Sequence, residues 1–153
     1  MIPGAVLTSF SFSASNRTTY RPTNDMCLMR TMHSPDFCDA CIEGLWWSLL
    51  QPLSLIDSIT QTTNDNGSTT VGLELLPLAD FRPNPRDTES YTISWFDSDG
   101  NLIEGWANQT MVLVGTDVEL VEVEVRFATT QVRLDPNGVL IDQESITVEK
   151  ARS

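Results

Sequence analysis

The sequence predicts a mostly β protein: an antiparallel β-sandwich of immunoglobulin-like or fibronectin type III-like class, preceded by one α-helix and an irregular N-terminal segment. Three observations predict it. From Leu53 onward, apolar residues recur at every second position in short runs. Turn-forming clusters separate those runs at intervals of about 8–12 residues, as in sandwiches. Only residues 34–52 carry a helical period, so the expected division is an N-terminal piece (1–33), a connecting helix (34–52) and a sandwich (53–153).

Residues 1–19 show no clear period. Phe10, Phe12 and Ala14 alternate with serines, which suggests one short strand with no hairpin partner in reach. For the helix, Ser34 is a natural N-cap, Pro35 suits the first helical position, and Asp36 and Asp39 put negative charge where the helix dipole favours it. Phe37, Cys41, Leu45 and Leu49 recur every fourth residue as the expected buried stripe, widened by Cys38, Ile42 and Trp46. Pro52 ends it.

The first strand is expected from Leu53, Leu55 and Ile59, before the turn Asn64-Asp-Asn-Gly67. A second is expected over residues 70–78. Tyr91, Ile93 and Trp95 alternate with polar residues in a third, and Trp95 is expected to fill the space between two sheets. Asp97-Ser-Asp-Gly-Asn101 turns the chain into a fourth strand over 102–105, and Met111 to Val114 forms a fifth. Val121, Val123, Val125 and Phe127 alternate with Glu122, Glu124 and Arg126, the cleanest half-buried strand in the chain. After the turn Asp135-Pro-Asn-Gly138, residues 139–141 and 145–148 close the sandwich.

The chain has 153 residues, 41% of them hydrophobic, and a net charge of −12 with a single lysine, Lys150. Such acidity argues against binding nucleic acid or an anionic membrane through a basic surface. No apolar run approaches the roughly 18 residues of a membrane span. Asn16-Arg-Thr18, Asn66-Gly-Ser68 and Asn108-Gln-Thr110 are glycosylation sequons in turn-like settings, which point to secretion. The N-terminal residues make a poor signal peptide, because Pro3 and Gly4 break the apolar run and no basic residues precede it. A secreted protein would then need its leader upstream of Met1.

Chemistry-bearing side chains concentrate between Tyr20 and Pro52, which hold all three cysteines and the only histidine. For a secreted chain the plain reading is a disulfide from Cys27 to Cys38 or Cys41, leaving one thiol free. Zinc on Cys27, His33, Cys38 and Cys41 is the competing reading, although that spacing matches no common zinc module. A thioredoxin-like use of Cys38-Asp-Ala-Cys41 lacks its βαβ context. His33 alone makes no hydrolytic site. The acidic pairs Asp97/Asp99 and Glu122/Glu124 read as turn residues and a solvated strand face, and calcium at Asp97 lacks the later glutamate of a calcium loop.

Tyr20-Arg-Pro-Thr-Asn-Asp-Met-Cys-Leu-Met-Arg30 resembles the Tyr-Arg-Pro…Cys-x-Met-Arg block of the IgA-peptidase family of secreted zinc metallopeptidases, metallopeptidase family sixty-four. Phe37-Cys-Asp-Ala-Cys-Ile-Glu43 resembles that family's Phe-Cys-x-x-Cys-x-Glu helix start. The order and spacing of the blocks agree over about residues 10–50, and the trailing strands are similar to the sandwich of fungal members. The resemblance implies that Tyr20, Met29 and Arg30 line a peptidase cleft. It also implies zinc in the full-length protein, held by a His-Glu-x-x-His helix that this chain lacks. The expectation is therefore a C-terminal portion that is inactive alone and meets protein substrates only through a missing catalytic domain. The other expectation is an extracellular adhesion or binding module with no catalysis, carrying an exposed aromatic or acidic patch such as one around Trp106.

Overall fold

A computed structural model describes residues 8–11, 18–21, 27–29, 31–81 and 89–149. The chain divides into two compact units, one made of residues 1–51 with 131–133 and the other of residues 52–130 with 134–153.

In the first unit, β1 (Thr8–Ser11) pairs with β2 (Thr18–Arg21) in an antiparallel hairpin, with Ser9 opposite Tyr20. The expected strand near Phe10 therefore has a partner. Its backbone groups are satisfied across the pairs from Thr8–Arg21 to Ser11–Thr18.

The single helix among the described residues, α1, runs from Asp39 to Leu50 with Cys38 as its N-cap. It begins four residues later than the sequence predicts. Residues 31–36 fold into turns instead: Thr31 donates its amide to Cys27 O, Ser34 to Thr31 O, and Leu28 to Asp36 O. Ser34 caps no helix; its hydroxyl donates to Asp36 O at 3.0 Å. The expected stripe is also rotated by about one residue. Leu45 and Leu49 are exposed, whereas Glu43, Trp46 and Leu50 are buried. Polar anchoring explains this face. Trp46 Nε1 donates to Gln131 Oε1 at 2.9 Å, and the Glu43 carboxylate accepts from Arg133.

The second unit is a small antiparallel β-sandwich. One sheet has the order β3 (Ile56–Thr63), β4 (Thr69–Leu75), β6 (Met111–Val114); the other has β5 (Ser90–Phe96), β7 (Leu120–Ala128), β8 (Ile141–Thr147). Strands one, two and four of the unit thus share a sheet, and three, five and six share the other. This is the strand distribution of an immunoglobulin-like sandwich without its D strand. The core takes alternate residues from both sheets: Val71, Leu73, Val112 and Val114 from the first, and Ile93, Trp95, Val121, Val123, Val125 and Phe127 from the second. Trp95 is fully buried, meets Trp106 edge-on at 6.1 Å, and donates Nε1–H to Gln109 O.

The turns follow their sequence chemistry. Gly67, Gly100 and Gly138 all have positive φ, the conformation glycine adopts at no steric cost. Asp135 accepts from the amides of Val139 and Leu140, and Asp97 Oδ1 from those of Asp99 and Asn101. The expected fourth strand is reduced to one bridge, Phe96 to Leu102, followed by a 3₁₀ turn over Glu104–Trp106. Residues 139–148, read as two short pieces, contain one continuous strand. Among the described residues no helix is long and apolar enough to cross a membrane.

Candidate functional site

The cysteine-bearing segment folds into a local loop that returns on itself. The turns over residues 27–36 bring Cys27 against the first turn of α1, so that residues eleven and fourteen positions apart meet. Cys38 lies in extended conformation at the N-cap, and its carbonyl accepts the amides of Cys41 and Ile42. The Cys-x-x-Cys spacing then places Cys38 and Cys41 on either side of the helix start.

The Sγ atoms of Cys27, Cys38 and Cys41 all lie within 4.8 Å of one another. Cys27 Sγ is 3.6 Å from Cys41 Sγ and accepts the backbone amide of Cys38 at 3.3 Å. Cys27 is buried and the other two are half-buried. All three are free thiols; a disulfide would hold its sulfurs at about 2.05 Å.

The local field shifts the Cys27 and Cys41 thiols in opposite directions. The Cys38 amide, aided by a backbone hydrogen bond at Met29, lowers the Cys27 thiol to about 7 against the cost of burial. Burial, together with its sulfur neighbours, pushes Cys41 up to about 12.

His33 is exposed in the turn between Cys27 and Cys38 and gives no atom to the cluster. Met29 is 71% exposed and Met32 95% exposed. Tyr20 sits in β2, paired with Ser9. Arg30 and Asn16 lie outside the described residues. Trp47 is half-buried, unlike the buried Trp46. Among the described residues no histidine joins the thiol cluster.

The other sequons are exposed at their asparagines. Asn66 sits in the β3–β4 turn, where its Oδ1 accepts from the amide and hydroxyl of Ser68. Asn108 adopts φ 58° and accepts the Ile93 amide at 3.0 Å. Trp106, half-buried against Trp95, forms no exposed aromatic patch. An acidic groove of about 470 Å³ instead lies on the β5–β7–β8 sheet, lined among others by Phe96, Glu122, Glu124, Gln143 and Glu144.

Asp142 and Arg133 carry no motif in the sequence, yet each anchors a distant segment. Asp142 Oδ2 accepts from the Ser54 hydroxyl at 2.6 Å and from the amides of Leu55 and Ile56. In β8 its register partner is Val125, a buried residue. The local sequence carries no signal for it, because strand pairing sets the register that places Asp142 opposite Val125. No protein-family model matches the chain, and no curated protein or solved structure matches it.

Proposed function

We propose that this chain is the C-terminal portion of a secreted zinc metallopeptidase of the IgA-peptidase type. Residues 1–33 would be a remnant of the catalytic domain, residues 34–52 a connecting helix and residues 53–153 a trailing β-sandwich. The observation that carries the reading is where the chain divides. The boundary between the two compact units falls between Gln51 and Pro52, and the resemblance to the peptidase blocks ends at about the same place. The first unit also leaves Leu28, Met29, Met32, Leu45 and Leu49 exposed.

The chain alone hydrolyses nothing, because it brings no set of histidines to a metal. The decisive experiment is to sequence the 5′ end of the transcript and assay the complete product. The expected result is an in-frame His-Glu-x-x-His upstream of Met1 and chelator-sensitive proteolysis by the longer protein. A complete reading frame without that motif overturns the reading, as does chelator-sensitive proteolysis by the 153-residue chain.

A second reading, an extracellular binding module, is favoured by the acidic groove on the second sheet. It predicts that a lysine-rich peptide binds the full chain and is released by Glu122→Gln and Glu144→Gln. No binding at low ionic strength rejects it.

A further inference from the structure

We infer that Cys27, Cys38 and Cys41 form a three-thiolate binding site for a zinc ion, separate from any catalytic metal of a larger protein. Three sulfurs converge within 4.8 Å at the start of α1. A tetrahedral zinc with Zn–S bonds of about 2.3 Å holds its sulfurs about 3.8 Å apart. The Cys27–Cys41 separation of 3.6 Å is close to that value, and Cys38 Sγ lies within 4.8 Å of both. Soft thiolates select zinc over the hard cations that an acidic surface attracts.

The surroundings suit a metal-bound sulfur. The Cys38 amide points at Cys27 Sγ at 3.3 Å, a donor that stabilises charge on sulfur and fixes the orientation of the ligand. The loop holding Cys27 is itself fixed by hydrogen bonds from Thr31 to Cys27 O and from Leu28 to Asp36 O. Two ligands come from the helix start and the third from this loop, so the ion would join the irregular segment to α1. Each cysteine binds as its thiolate, any thiol still protonated gives its proton to solvent as the ion binds, and a water completes the fourth position. The site stands whether or not the peptidase reading holds, since none of its ligands belongs to the peptidase metal motif.

The test uses the full 153-residue chain, purified once without reductant and once reduced under nitrogen. Cobalt(II) is titrated into the reduced protein and then displaced with zinc. The expected result is one equivalent of cobalt with thiolate charge-transfer absorption in the near ultraviolet, tetrahedral ligand-field bands, and loss of both on adding zinc. Cys38→Ser, the least invasive variant because Cys38 is half-buried, is expected to weaken zinc binding more than about 100-fold, beyond the roughly 10–100-fold cost of losing a supporting hydrogen bond. Asp39→Asn serves as a control that leaves the affinity unchanged. Circular dichroism establishes that Cys38→Ser is folded; if it is not, Cys41→Ser replaces it. Failure of the reduced chain to take up cobalt or zinc overturns the inference, as does uptake that survives loss of a cysteine. A Cys27–Cys41 disulfide mapped by mass spectrometry in protein purified without reductant also overturns it.

Discussion

The Glu43 carboxylate accepts two hydrogen bonds from Arg133, one from its backbone amide at 2.7 Å and one from its guanidinium at 3.1 Å. Glu43 is buried on the inner face of α1, and the Arg133 side chain is 31% exposed. The helix thus carries a charge out of water on condition that residues 131–133 stay in place. Removing one member of a buried pair typically costs about 3–5 kcal/mol. With the arginine partly in water, Glu43→Ala should cost about 3 kcal/mol. Arg133→Ala should cost less, because the backbone amide remains. Urea denaturation of both variants and the double mutant measures the coupling; equal costs would show that the amide contributes nothing.

Tyr91 carries the clearest pH signature in the sandwich. Its hydroxyl donates to Leu76 O at 2.7 Å, and burial pushes its phenol up to about 12. The folded value exceeds the unfolded value of about 10, so the protonated phenol favours the fold. Its contribution is fully present below pH 10 and is lost as pH rises through about 12. Absorbance at the phenolate band should show one tyrosine titrating near 12 that disappears in Tyr91→Phe. That variant should lose about 1 kcal/mol at neutral pH, the net value of one hydrogen bond, and show a smaller decline above pH 10 than the parent chain.

Asp97 has the opposite sign. Hydrogen bonds from Asn101, backbone first and then side chain, with help from the Asp99 and Gly100 amides, hold its carboxyl below the usual range. Its folded pKa lies below its unfolded one, so its contribution is present above an unfolded value of about 4 and is lost as pH falls through the folded value. Asp97→Ala should lower the midpoint of thermal unfolding at pH 7 and narrow the gap to the parent at pH 3. A gap independent of pH would show that the ionised carboxylate is not what holds this turn.

Trp95 tests the core. Trp95→Ala should cost about 3–5 kcal/mol, enough to unfold a marginal domain. Trp95→Phe keeps most of the volume but strands the Gln109 carbonyl that Nε1–H now satisfies, for a cost of about 2 kcal/mol. Calorimetry on both variants gives the comparison; an unfolding temperature for Trp95→Phe equal to the parent's would show that this hydrogen bond contributes nothing net.

Much of the sandwich was legible because its strands are half-buried. The Val121–Phe127 alternation can be satisfied by only one orientation, and the outcome is buried valines with exposed or half-buried residues between them. The turns at Gly67, Gly100 and Gly138 were legible for a similar reason, since positive φ demands particular residue types. The helix boundaries were less so. Ser34-Pro35 is a sound helix start in isolation, but the chain uses those residues to turn back toward Cys27. Local propensity, a few tenths of a kcal/mol per residue, yields to a loop that buries Cys27. The face of α1 was illegible because Leu45 and Leu49 outrank Glu43 on any hydrophobic scale. Arg133 and Gln131, some 85 to 90 positions along the chain, help make burial of Glu43 and Trp46 favourable.

By itself, the sequence determined the class of the second unit, its turns, the central place of Trp95, and the concentration of reactive side chains between Tyr20 and Pro52. These follow from periods and backbone preferences that act over a few residues. Tertiary structure alone decided that Cys27 meets Cys38 and Cys41 together, that His33 stays apart from them, and that Asp142 spans to Leu55 and Ile56. Those outcomes depend on where distant segments come to rest. A spacing in sequence limits how far apart two side chains can be, but it does not say which of several reachable partners the packed chain selects.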